Sequence, residues 1–221
     1  MSKIKYIAAV LIAIAGLGLQ QAKADFIFNL TVGNSGLSGF PGPYATVDVH
    51  LVDPTHATIS FTSLTNGGNI YLFGGVNAVD VNVNATTWTI GSFVATNSGT
   101  GFTPGPLSDG GSGNVDGFGV LNQTNNSFDG YTHTSNFISF TLTNTSGTWL
   151  SDTTVLIANA QGAFAAAHIF VTTSPANASN SALVTGFAAN GGSTVPDGGT
   201  TVMLLGAALG ALGMARRFIM S

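Results

Sequence analysis

From Phe26 onward, apolar and polar residues alternate in short runs broken by Gly, Asn, Asp and Pro, which is the pattern of half-buried β-strands. Phe26 to Val32 is the first such run, and the Gly/Ser/Pro cluster from Gly33 to Pro43 reads as a loop. Tyr44 to Val52 alternates with β-branched residues, and Asp53-Pro54 marks a turn. In His56 to Leu64, Ala57, Ile59 and Phe61 alternate with Thr58, Ser60 and Thr62. Asn66-Gly67-Gly68 turns the chain into Asn69 to Phe73, and Val76 to Val83 and Thr86 to Val94 read as further strands.

Thr96 to Asn126 is mostly Gly, Ser, Asn, Asp and Pro and reads as loop, with a short buried piece at Phe118, Val120 and Leu121. A strong strand follows at Asn136 to Thr143, then a turn at Asn144 to Gly147, with Trp149 expected to plug the core. Thr153 to Phe170 is rich in Ala, which suits a helix. Its β-branched start and Gly162 favour two strands around a turn at Asn159 to Gly162 instead. Leu183 to Ala189 reads as the closing strand. Many short strands at turn-rich spacing predict an all-β chain, with one β-sandwich or jelly-roll-like domain over residues 25–194.

The two ends follow a different pattern. Lys3 and Lys5 precede an apolar run from Tyr6 to Leu19, and Ala22-Lys23-Ala24 supplies a small-x-small site. These are the parts of a signal peptide over residues 1–24, with Ala22 and Ala24 as the signal-peptidase site and Asp25 as the mature start. The second apolar stretch, Val202 to Ala215, would rise only ~21 Å as a helix, short of the ~30 Å hydrocarbon core. Its uncharged flanks can lengthen it, and Arg216 and Arg217 close it, so a transmembrane helix is expected at 201–215. Lys and Arg beside a span favour the cytoplasmic side, which places the body outside, in agreement with the signal peptide.

Charge narrows the function. Residues 25–194 contain no Lys, Arg, Glu or Cys, and eight Asp give the body a formal charge of −8 with neutral His. Nucleic-acid binding needs basic residues against phosphates, and P-loops, Schiff-base chemistry and Arg clamps lack their key side chain. No disulfide supports this exported fold, so it must rest on apolar burial and backbone hydrogen bonds. A neutral glycan or a cation suits the acidic surface better than an anionic partner.

Val195, Pro196, Asp197, Gly198 and Gly199 open the tail, which reads VPDGGTTVMLLGAALGALGMARR. This order of turn motif, span and Arg pair resembles the C-terminal sorting signal of bacterial PEP-CTERM proteins, in the branch beginning Val-Pro-Asp. The resemblance implies a sorting tail over 195–221, recognised by an exosortase, a membrane-embedded cysteine transpeptidase. It further implies transient anchoring in the inner membrane of a Gram-negative bacterium, then delivery to the envelope or an exopolysaccharide matrix. The body segments FISFTLTNTSGTWLSDTTVLIANAQGAFAAAHIFV and ALVTGFAAN look like uncharacterised secreted proteins with the same kind of tail, and this brings no activity with it.

Chemistry-bearing residues in the body are few. His50, His56, His133 and His168 show no zinc-motif spacing. Asp109, Asp116 and Asp129 in Gly/Asn-rich sequence are metal candidates for Ca²⁺, with a spacing unlike an EF-hand, and a solvated loop is the expectation. No G-x-S-x-G elbow appears, and no motif supports a carboxylate pair for glycoside hydrolysis. The expectation is therefore a non-enzymatic structural or adhesive protein without cofactors, associated with exopolysaccharide or biofilm. The alternatives are a carbohydrate-binding module stacking sugars on Trp88, Trp149 and the Tyr residues, with polysaccharide as partner, and, behind it, a secreted hydrolase.

Overall fold

The computed structural model describes residues 25–98, 102–127, 130–173, 182–190 and 195–196. In chain order its strands are β1 (Phe26–Gly33), β2 (Ala45–Asp53), β3 (His56–Ser63), β4 (Thr65–Asn66), β5 (Asn69–Phe73), β6 (Val79–Val81) and β7 (Trp88–Thr96). They continue as β8 (Ser108–Val115), β9 (Gly119–Asn126), β10 (Phe137–Asn144), β11 (Ala165–Thr172), β12 (Val184–Asn190) and β13 (Val195–Pro196). Three short 3-10 turns, at Ser35–Leu37, Tyr131–His133 and Asp152–Thr154, are the only helical pieces among the described residues. The all-β expectation holds.

The strands make one antiparallel sheet in the order β7-β10-β3-β2-β1-β12-β11-β6-β9-β8, curled into a nearly closed, barrel- or sandwich-like form. Strand period fixes which side chains face inward, because successive residues point to opposite faces. In the β2–β3 hairpin, Val47 opposes Phe61, Val49 opposes Ile59 and Leu51 opposes Ala57, all buried. Thr46, Asp48 and His50 alternate with them on the outer face. Phe61 sits at the centre of the core, edge-on to Phe73 at 6.2 Å and stacked on Phe140 at 6.4 Å between centroids.

β11 is covered on both faces, and this explains its composition. Ala165, Ala167, Ile169 and Val171 face the main core, while Ala166 joins Val115, Leu121, Ala163 and Ala189 on the other side. Phe170 packs there too, against Leu72 and Phe102. Small side chains fit where a central strand has layers above and below, so packing overrides the helix preference of alanine. Gly36 and Gly186 allow a second close approach. A Cβ on Gly186 would lie 2.9 Å from the Gly36 carbonyl carbon, and one on Gly36 would lie 2.8 Å from the Thr185 carbonyl oxygen.

Three expectations need correction. Thr96 to Asn126 contains the β8–β9 hairpin, not a loop around one buried piece. Its Gly-rich composition hides it, yet Gly111, Gly117 and Gly119 supply the positive φ angles that its bulges and turn require. Within Val76 to Val83 only Val79–Val81 is strand, because Gly75 and Asn77 take positive φ and turn the chain just before it. Thr153 and Thr154 belong to a 3-10 turn closed by a reciprocal Ser151–Thr154 capping box, not to a strand. The turn around Asn159 to Gly162 and the strand after it appear as expected, as does Trp149, 3% exposed and donating its indole N–H to the Asn84 carbonyl at 2.8 Å.

Asp25–Asp197 forms one compact unit. The signal-peptide residues 1–24 with Ala22 and Ala24, the motif residues Asp197, Gly198 and Gly199, the span 201–215 and the pair Arg216–Arg217 lie outside the described residues. Among the described residues, no helix is long and apolar enough to cross a membrane.

Candidate functional site

Two features meet at the pole of the body where β1 begins. The first is the start of the tail motif. β12 runs antiparallel to β1, with Gly33 opposite Ala188 and Leu30 opposite Asn190. Further along the same edge of β1, Ile27 opposes Val195 and Phe26 opposes Pro196. The tail motif therefore opens as the last strand of the body. Pro196 has no N–H to donate to that ladder, which suits it to an edge position.

The second feature is a cluster of ionisable groups. Asp48 and His50 are two apart on β2 and share its outer face. Asp25 immediately precedes β1 and reaches His50, with Nδ1 2.6 Å from Oδ1. Asp152 arrives from the 3-10 turn, is 3% exposed, and accepts the Leu51 backbone N–H. Ligand atoms of Asp25, His50 and Asp152 lie within 4.8 Å of one another, the one such group of three found among the described residues. Three carboxylates and an imidazole, with no Lys or Arg among the described residues, can share a proton or face a cation.

Electrostatics follow the geometry. The hydrogen bond to Asp25 is the main cause that raises the His50 pKa above its usual value. Burial, then the charges of Asp25 and Asp152, push the Asp48 carboxyl up, against a lowering by His50. A His whose pKa is raised on folding contributes stability below its unfolded pKa, and the contribution is lost as pH rises through the folded value. Both side chains of the pair are more than a third exposed, 52% for His50 and 36% for Asp25, so solvent screens the gain. His50→Ala is expected to cost less than about 1 kcal/mol at pH 5.5 and nothing measurable at pH 8.5. Urea unfolding of the body at the two pH values checks this, and an equal loss at both would refute it.

The residues singled out from sequence separate in space. Asp109 on β8 accepts the Gly111 N–H and a Gln123 side-chain N–H, both at 2.8 Å, whereas Asp116 accepts the Asn34 amide at 2.8 Å. Neither belongs to the converging group, and Asp129 lies outside the described residues. His168 is stacked on Phe187 at 4.5 Å, and His133 Nδ1 lies 3.1 Å from the Thr103 carbonyl. Thr55, His56 and Asp53 resemble a relay only on first sight. The hydroxyl and the carboxylate both meet His56 Nδ1, at 3.1 and 2.8 Å, so the ring has no second nitrogen in the chain of contacts to pass a proton on. Trp88 packs against the core with its N–H on Gln123 at 2.8 Å, and Trp149 is buried.

Sequence reasoning missed the Asp25, His50 and Asp152 cluster. Period two places Asp48 beside His50, and that much was readable. The β1–β2 register that brings Asp25 across, and a turn 102 residues further along that brings Asp152 to His50, have no local signal.

The described body is an all-β domain whose final strand opens the tail motif. Residues 194–218 match the family model described as the VPDSG-CTERM motif, with Gly198 standing where that name has Ser. The chain thus carries a PEP-CTERM-like sorting signal, and that signal supports an exported, envelope-associated protein. Such a signal implies processing by a sorting enzyme and membrane anchoring in general terms. No curated protein and no solved structure matches the chain.

Proposed function

We propose that this protein is a structural or adhesive component of the cell envelope or an exopolysaccharide-rich matrix, and not an enzyme. In this reading an exosortase-type transpeptidase of a Gram-negative bacterium frees it from a transient inner-membrane anchor. The observation that carries the proposal is the sorting-motif match over residues 194–218. The body is consistent with it, because it offers amide, hydroxyl and carboxylate groups but no Lys, Arg or Cys for charge clamps or thiol chemistry.

The test is deletion of residues 195–221 in the native cell, followed by fractionation. The body, still exported by its signal peptide, is expected in the growth medium, with retention on the envelope falling at least tenfold. Unchanged retention would refute the proposal. The second reading, a carbohydrate-binding module, gains little from the tryptophans, since Trp149 is buried and Trp88 packs on the core, while Tyr131 is only half-buried. It also has an open cleft lined by Asn84, Asn144, Ser146, Leu150 and Ile157, in which Leu150 is 88% exposed. A glycan array of neutral polysaccharides separates the two readings.

A further inference from the structure

We infer that Asp25, Asp48, His50 and Asp152 hold one divalent cation of the zinc type, which ties the start of β1 to β2 and to the 3-10 turn at Asp152–Thr154. The inference goes beyond the sorting signal and stands without it, because it uses only side chains of the body.

Geometry comes first. One ligand atom from each of Asp25, His50 and Asp152 lies within 4.8 Å of the other two. Ligands ~2.0–2.2 Å from a shared zinc ion stand roughly 3–4 Å apart, so small side-chain movements bring these atoms to one centre. Asp152 forms a fixed inner wall, because it is 3% exposed and one of its oxygens accepts the Leu51 N–H. Asp48 lies two residues before His50 on the same face of β2, and the charges of Asp25, His50 and Asp152 all act on its carboxyl group. The second, independent observation is Asp48 Oδ1, which is buried and has no hydrogen-bond partner. A carboxylate oxygen shut off from water and from every donor is costly as an anion unless a cation reaches it.

Charge and donor type then select the ion. Residues 25–194 carry no Lys or Arg, so a protonated His50 offsets only one of the three carboxylate charges. A divalent cation that displaces the proton between His50 and Asp25 offsets two, and it leaves the imidazole neutral as a ligand. Imidazole nitrogen suits zinc-type ions, whereas Ca²⁺ and Mg²⁺ take oxygen. Four protein ligands make a closed, structural site, which joins three chain segments in a body without disulfides. Asp25 and His50 are both more than a third exposed and give the ion a way in. The other His–Asp pair, His56 with Asp53, gathers no third carboxylate or imidazole among the described residues, and so serves as the internal control.

The test uses the protein purified from its native envelope, stripped with EDTA and dialysed against micromolar Zn²⁺, with bound metal and Tm both measured. The expected result is one Zn²⁺ per chain and a Tm raised by about 5 °C or more over the EDTA-treated protein. His50→Ala and Asp25→Asn change exposed side chains and leave the Asp152 bond to Leu51 in place. Each is expected to weaken Zn²⁺ binding at least about tenfold and to remove the Tm shift. In EDTA at pH 8.5 His50→Ala is close to neutral, so a loss that appears only with Zn²⁺ belongs to the metal. His56→Ala is expected to keep both uptake and shift. Absence of Zn²⁺ uptake by the parent would overturn the inference, and would leave these carboxylates to the α-amino group that removal of residues 1–24 creates at Asp25. Uptake that both His50→Ala and Asp25→Asn retain, or a Ca²⁺ shift as large as that of Zn²⁺, would overturn it as well.

Discussion

Phe61→Ala is expected to destabilise the body by about 3–5 kcal/mol, the range for removing a fully buried aromatic side chain. The effect should be this large because Phe61 is completely buried on the central β3 and holds two other rings, Phe73 and Phe140, in contact with it. The three rings come from three different strands, β3, β5 and β10, so a void at Phe61 cannot be closed by moving one loop. A body without disulfides or Lys and Arg ion pairs rests chiefly on this core. Urea unfolding measures the loss, with Val94→Ala on the exposed side of β7 as a control expected within about 0.5 kcal/mol of the parent. A loss below about 1 kcal/mol for Phe61→Ala would show that the core is not organised around it.

Asp80→Asn should have the opposite sign. Asp80 is wholly buried on β6, its Oδ1 accepts the Asn125 backbone N–H at 3.2 Å, and its Oδ2 has no partner. Burial drives its pKa well above the usual carboxylate range, so the folded state favours the protonated acid more than the unfolded chain does. The unfolded chain ionises near the ordinary value, so the folded state binds more protons and stability falls as pH rises above about 4. An amide presents the same two heavy atoms, one acceptor and one donor, without a proton to lose. Asp80→Asn is therefore expected to stabilise the body at pH 8 by about 1–3 kcal/mol and to make no difference at pH 3. Unfolding free energies at the two values decide the matter. A variant less stable than the parent at pH 8 would mean that the carboxylate is needed there in its charged form.

Strand by strand, the sequence was most readable where one face meets the core and the other meets water. β2, β3 and β10 show this, since Val47, Val49, Ile59, Phe61, Ile138 and Phe140 alternate with Thr, Asp, His and Ser. β8 was invisible because its fold depends on glycines taking bulge conformations and not on alternating apolar residues. The 3-10 turn at Asp152 was mistaken for strand because Thr and Val favour strands, while a capping box decided the local geometry. For the site, the tail could be read directly, because a membrane-type address is a linear signal. The Asp25, His50 and Asp152 cluster could not, because it is assembled by register between β1 and β2 and by a contact across 102 residues.

The meeting of β1 with β12 and β13 has a mechanical consequence. Phe26 and Pro196 are register partners on antiparallel strands, so the two ends of the body leave side by side. Pulling those ends apart would open the ladder like a zipper, loading one pair of hydrogen bonds at a time instead of sharing the force among all of them in shear. A body held by its tail alone carries no tension between its two ends. In flowing medium it would feel only the drag on its own surface.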